Sequence, residues 1–127
     1  MTPWYETLRK PPLTPPNWIF SPVWTILYLL IGVVIYLYLT IPIQPLWSIT
    51  TAILVLHLVA NGSWSFLFFR YQSPGWALID ILVMDATLIF LVMSFWQVYL
   101  MAALLLIPYL FWILFATYLN YALFRLN

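Results

Sequence analysis

Polar positions are rare along this chain, and their placement divides it into five stretches. Residues 1–18 mix prolines and aromatics with Glu6, Arg9 and Lys10, and four apolar runs follow at about 19–39, 46–69, 75–96 and 98–124. The last run is 27 residues long without a formal charge. At ~1.5 Å rise per residue that exceeds the roughly 20 residues that cross a bilayer's hydrocarbon core. The breaks are short: TIPIQP, the turn YQSPG after Arg70, and the neighbourhood of Gln97. Short breaks make consecutive helices antiparallel neighbours. The pattern therefore predicts a single all-α domain over residues 1–127, a polytopic helical membrane bundle of four transmembrane helices. Asn17 suits the N-cap of the first span, and Pro22 falls in its first turns, where a missing N–H is tolerated. Pro108 interrupts the hydrogen-bond ladder of the last span and predicts a kink there.

Within the spans, aromatic and polar residues recur at helical spacing. Trp24, Tyr28, Gly32 and Tyr36 form one stripe, and Trp112, Ala116 and Asn120 another. Stripes of this kind pack helices more often than they hold a ligand, because aromatic area fills cores by itself. Asn120 is sharper, since an amide facing hydrocarbon leaves donors and acceptors unpaired and so should look into the bundle. His57, Asn61 and Trp64 share a third face. With one histidine and no cysteine in the chain, His57 reads as a neutral, hydrogen-bonded core residue in preference to a haem ligand or proton carrier. Gly62 and Ser63 permit close helix approach or ligand access. Asp80 and Asp85 sit inside the third span, where acidic groups are costly. Five residues apart, they lie roughly 140° apart around a helix and do not form one acid–base pair. Structural pairing is favoured for both over a proton relay, with Asp80 on the face of Trp76.

Composition changes the picture by naming the solvent. Hydrophobic residues make up 66% and charged residues 6% of the chain, against about 45–50% and 25% in soluble domains. The partner is the lipid bilayer. Net charge is +1 and no basic run occurs, which argues against nucleic acid. The absence of cysteine removes disulfides and thiolate chemistry. Prolines interrupt residues 1–18 and no apolar core appears there, unlike a signal peptide; with Trp4, Tyr5 and Trp18 the segment reads as an interfacial anchor or as a lid over the mouth of the bundle. With four spans, Arg9, Lys10, Arg70 and Arg125 share one side. By the positive-inside rule both termini face the cytoplasm. No phosphate loop, nucleophile elbow or metal cluster is present, so hydrolase and nucleotide-driven chemistry are not expected, no metal or required cofactor is implied, and the eight tryptophans suit stacking on a flat apolar molecule.

The stretches KPPLTPPNWIFSPVWTILY, NGSWSFLFF, GWALIDILV, IPYLFW and FATYLNYALFRLN, in that order, resemble the translocator protein family, also called tryptophan-rich sensory proteins or peripheral benzodiazepine receptors. The resemblance implies an integral membrane protein, here of a prokaryotic cytoplasmic membrane, that binds porphyrins such as protoporphyrin IX or haem, and sterols, as sensor, carrier or scavenger. It implies a pocket of Trp24, Trp64, Trp76, Asp80, Trp112, Ala116, Leu119 and Asn120. In some bacterial members light-dependent porphyrin breakdown is reported, and the matching tryptophans are Trp24 and Trp112. Leu119, Tyr121 and Arg125 fit a weak sterol pattern. A structural or assembly subunit without a ligand is the remaining alternative. The family pattern has five spans, one of them before the WY motif, and only four are read here. The resemblance thus implies a short member, an excised piece, or a homodimer or partner chain that supplies the missing helix. Gly62 and Asp85 depart from the family pattern.

Overall fold

The computed structural model describes residues 3–12, 14–40 and 48–127. A short helix α1 (Pro3–Thr7) precedes four long ones: α2 (Asn17–Leu39), α3 (Ile49–Ser65), α4 (Pro74–Val98) and α5 (Leu100–Leu126). No strand occurs among the described residues. Among the described residues, four helices are long and apolar enough to cross a membrane. The connection read from TIPIQP lies, beyond Thr40, outside the described residues.

Local chemistry sets several boundaries. Pro16 precedes α2 in an extended conformation with no side-chain cap, so Asn17 opens the helix instead of capping it. Ser48 caps α3 by accepting from the Thr51 N–H at 3.2 Å, which satisfies one of the free donors of a helix start. Tyr38, near the end of α2, bonds the Thr51 hydroxyl and so joins the two helix ends. Ser73 caps α4 in the same way through the Trp76 N–H at 3.3 Å, with Pro74 in the first turn. The last break falls at Tyr99, so Val98 ends α4 and does not begin the final helix. Both sides of that break are equally apolar, which is why hydropathy misplaced it. α5 continues unbroken through Pro108.

α4 lies between α3 and α5, and α2 packs on α5. The buried apolar residues of α4 are Ala77, Ile81, Met84, Leu88, Leu91 and Phe95, at alternating spacings of four and three. Buried residues of α5 include Ala102, Leu106, Tyr109, Ile113, Ala116, Leu119 or Asn120, and Leu123. This is the seam that lets two long helices interdigitate side by side. Gly62 is not part of any such seam: it is exposed, and a Cβ built on it would meet nothing within 4 Å. The close helix approach expected there is not made within this chain.

After Ser65 the helix loosens into a π turn, Phe66–Arg70, in which the Tyr71 N–H bonds the Phe66 carbonyl at 3.1 Å. The wider turn changes the helical register by about one residue. It ends at the pole that also holds the N-terminal segment and the C-terminus. There the Arg9 N–H donates to Asn127 Oδ1 and Asn127 Nδ2 donates to the Arg9 carbonyl, each at 3.1 Å.

Candidate functional site

A cavity of about 320 Å³ opens between α2, the α3 π turn and α5, under the N-terminal segment. Its aromatic walls come from several elements. α2 contributes Phe20, Trp24 and Tyr28; α3 contributes Asn61 and Trp64; the π turn contributes Phe68 and Phe69; α5 contributes Trp112, Ala116, Leu119, Asn120 and Leu123. Trp64 and Phe68 are four residues apart and stack at 5.1 Å. Phe69, five residues from Trp64, still meets its edge at 6.1 Å, and the π turn is what lets two successive phenylalanines face one space.

The three tryptophans form a contiguous set. Trp24 stacks on Trp64 at 6.1 Å and meets Trp112 edge-on at 6.2 Å. Phe20 touches Trp112 at 5.9 Å. From the N-terminal segment Tyr5 closes one end, buried against Phe20, Phe68 and Phe69 at 6.0–6.4 Å. The N-terminal segment therefore contributes a wall of the cavity through Tyr5. Burial holds the Tyr5 hydroxyl above its ordinary value of 10.0, and Lys10 Nζ lies over its ring at 4.8 Å.

Polar groups at the cavity are largely committed to the protein. Asn120 accepts from Trp64 Nε1 at 2.9 Å and donates to the Pro74 carbonyl at 2.8 Å. Its amide locks the Trp64 indole and the start of α4 in place, and so finds its partners inside the bundle. Asn61 accepts from the Tyr28 hydroxyl at 3.3 Å and donates to the Tyr109 oxygen. The Trp112 indole N–H is buried and has no partner among the described residues. An orphan donor in an apolar wall costs about 1–3 kcal/mol, which an acceptor on a bound molecule would recover.

Of the residues expected at the site, Trp24, Trp64, Trp112, Ala116, Leu119 and Asn120 line one cavity. Trp76 and Asp80 do not. Trp76 is 66% exposed and borders a shallower depression with Trp4, Leu8 and Phe124. Asp80 faces neither depression, and its buried Oδ2 has no partner among the described residues. Asp85 packs against α5, where its Oδ2 lies 2.7 Å from the Thr117 hydroxyl; its Oδ1 is buried without a partner among the described residues. The sterol pattern is split. Leu119 faces the cavity, whereas Tyr121 is exposed and bonded to Arg125 at 3.0 Å on the outer surface.

His57 is a core residue with both ring nitrogens engaged, Nδ1 to Thr87 Oγ1 at 2.9 Å and Nε2 to the Tyr109 hydroxyl at 2.8 Å. It does not line the cavity, and no group of three or more metal-ligating side chains occurs among the described residues. Sequence reading missed Tyr5, Phe20 and Phe68. Phe68 lies four residues after Trp64, an ordinary helical spacing that was available; for Phe69, five residues after Trp64, no helical period gives the signal, because the π turn intervenes. Phe20 lies one turn before Trp24, and that spacing was available.

The model of the TspO/MBR family matches residues 1–126. The tryptophan-rich protein TspO of Archaeoglobus fulgidus is 43% identical over 126 residues, covering 98% of this chain and 80% of that protein. The namesake in Chlorobaculum tepidum is 36% identical over 129 residues, covering 98% and 79%. The translocator protein of Homo sapiens is 36% identical over 131 residues, covering 98% and 75%. The aromatic cavity under a proline-rich segment is thus set in a helical membrane protein that belongs to the TspO/MBR family.

Proposed function

We propose that this protein binds a flat apolar molecule, a porphyrin such as protoporphyrin IX, in the cavity walled by Trp24, Trp64 and Trp112, and serves as its membrane sensor, carrier or scavenger. The observation that carries this reading is the convergence of the three indoles on one cavity. Aromatic faces stack on a macrocycle, and the unpartnered Trp112 N–H offers a donor to a carboxylate or carbonyl of the guest. About 320 Å³ is the low end for a small-molecule site. Entry of a macrocycle therefore requires the N-terminal segment to swing away from Phe20 and the π turn.

The basic pole supports an orientation. Arg9 and Asn127 are bonded there, and Lys10, Arg70 and Arg125 belong to the same segments. On the positive-inside rule this pole, lid included, faces the cytoplasm, and a guest would enter from that side.

The test is a protoporphyrin IX titration of the protein in nanodiscs, followed by tryptophan quenching, beside Trp24→Phe and Trp112→Phe. Saturable quenching weakened in both variants is expected. Linear quenching identical in all three would mean that the porphyrin only partitions into lipid and would overturn the reading. Light-driven change of the bound porphyrin is a second reading, favoured by the Trp24–Trp112 contact at 6.2 Å. Bleaching under illumination that persists unchanged in both variants would remove these indoles from it.

A further inference from the structure

Behind the cavity wall, polar groups form a chain with one direction. The Thr87 hydroxyl is within 2.9 Å of the Val83 carbonyl and 3.0 Å of that of Met84, so its proton is committed to the backbone of α4. Its oxygen must then accept from His57 Nδ1–H, at 2.9 Å. A neutral imidazole with its proton on Nδ1 has a bare Nε2. That nitrogen accepts the Tyr109 hydroxyl at 2.8 Å, and the Tyr109 oxygen in turn accepts from Asn61 Nδ2. Asn61 Oδ1 accepts from Tyr28, whose ring lies 5.8 Å from that of Trp24. Asn61, Tyr28 and Trp24 all line the cavity, while Tyr109 is fully buried one helical turn before Trp112.

This arrangement sets Tyr109 apart from the other tyrosines. A phenol that loses an electron becomes a strong acid, and its radical persists only if the proton has somewhere to go. Tyr28 points its proton at an amide oxygen, a very weak base. Tyr109 points its proton at the single imidazole in the chain, held by Thr87 in the tautomer that can receive it.

We propose that Tyr109 and His57 form a proton-coupled redox pair that drains oxidising equivalents from the indoles of the cavity. The oxidant is an indole radical cation at Trp24 or Trp112. In the porphyrin reading, on which the source of that oxidant rests, an excited tetrapyrrole takes the electron from the indole. One electron passes from the Tyr109 ring to the oxidised indole, which returns to its neutral closed-shell form. The Tyr109 O–H bond breaks as a His57 Nε2–H bond forms, leaving a neutral tyrosyl radical beside an imidazolium whose Nδ1–H still bonds Thr87. Charge is conserved, the positive charge moving from indole to imidazole. Electron transfer has a short route through one turn of α5 from Trp112, or through Tyr28 and Asn61 from Trp24. The radical is thereby moved from the face that touches a guest to a site closed to lipid and water.

The experiment uses the full chain in nanodiscs without a guest. Ultraviolet flashes photo-ionise tryptophans, and transient absorption with freeze-quench electron paramagnetic resonance follows the radicals. Decay of the indole signal into a tyrosyl signal is expected, with loss of that tyrosyl signal in Tyr109→Phe and in His57→Phe. An unchanged tyrosyl yield in Tyr109→Phe overturns the pair. In the unmodified chain, which removes any dependence on how the variants fold, the tyrosyl spectrum should show coupling to one exchangeable proton donated by the imidazolium. A tyrosyl radical with no such coupling overturns the role of His57. A second arm adds protoporphyrin IX and visible light. A Tyr109 radical in the ultraviolet arm but none in the visible arm supports the redox pair and removes the porphyrin as the source of its oxidant.

Discussion

Asn127 closes a two-bond ring with the backbone of Arg9: the Arg9 N–H donates to Asn127 Oδ1 and Asn127 Nδ2 donates to the Arg9 carbonyl, both at 3.1 Å. One side-chain amide thus ties the proline-rich segment to the end of α5, beside the wall that Tyr5 contributes to the cavity. Because the pair is exposed, its net worth is about 0.5–1.5 kcal/mol. At 1.4 kcal/mol per decade, Asn127→Ala should raise the rate of protoporphyrin IX dissociation by about two- to tenfold. Asn127→Asp, which keeps the acceptor and loses the donor, should fall between. Stopped-flow tryptophan fluorescence reads both, and identical release from all three chains would show that the segment opens elsewhere.

Asn120 and Trp64 provide a second prediction. The amide spends its oxygen on Trp64 Nε1 and its nitrogen on the Pro74 carbonyl. Removing it in Asn120→Ala strands two partly buried partners, at up to about 1–3 kcal/mol each where no water replaces it. A lower thermal midpoint is expected. Combined with Trp64→Phe, which removes the donor, the double variant should be less destabilised than the sum, with a coupling of about 0.5–3 kcal/mol. Strict additivity would show that the bond does not hold the indole.

The sequence disclosed most of the spans because hydropathy alone marks a membrane helix, and it placed Trp112, Ala116 and Asn120 on one face because α5 is regular there. What it hid has physical causes. In helices apolar all round, the buried stripe Ala77–Ile81–Met84–Leu88 carries no contrast against lipid-facing neighbours such as Ile79 and Leu82. The π turn breaks the helical period at the point where Phe69, five residues from Trp64, joins Phe68 at the cavity. Trp76 shared a helix face with Asp80, yet that face turns away from the cavity because α4 is reached from α3 through the turn at Gln72, whose φ of 54° no apolar pattern encodes. Asn120 was legible as a buried amide but not as one already paired, since Trp64 and Pro74 lie far away in sequence.

The N-terminal segment should also respond to base. Burial against Phe20 and the π turn raises the Tyr5 hydroxyl above its ordinary value of 10.0. A docked state that holds this proton more tightly than the undocked one is favoured below that value and loses the preference as pH rises through the raised value. Release of protoporphyrin IX should therefore accelerate as pH climbs past 10.0, and Tyr5→Phe should abolish the part of the acceleration that is due to this group. A pH profile unchanged by Tyr5→Phe would assign the response to another group.

Gly62 presents the last test, and it separates packing within the chain from packing between chains. Glycine inside a helix is less favourable than alanine by roughly 0.5–1 kcal/mol, chiefly through backbone entropy. Here nothing lies within 4 Å of where a Cβ would stand, so no steric term opposes the gain. Gly62→Ala should stabilise α3 by about that amount when the protein is dilute in micelles. If the same face meets a second copy, the added methyl groups would collide only when chains associate, and the stabilisation should shrink as the protein-to-detergent ratio increases. A gain independent of concentration would mean that lipid alone covers this face. A loss at every concentration would mean that the chain itself packs against Gly62, contrary to the geometry.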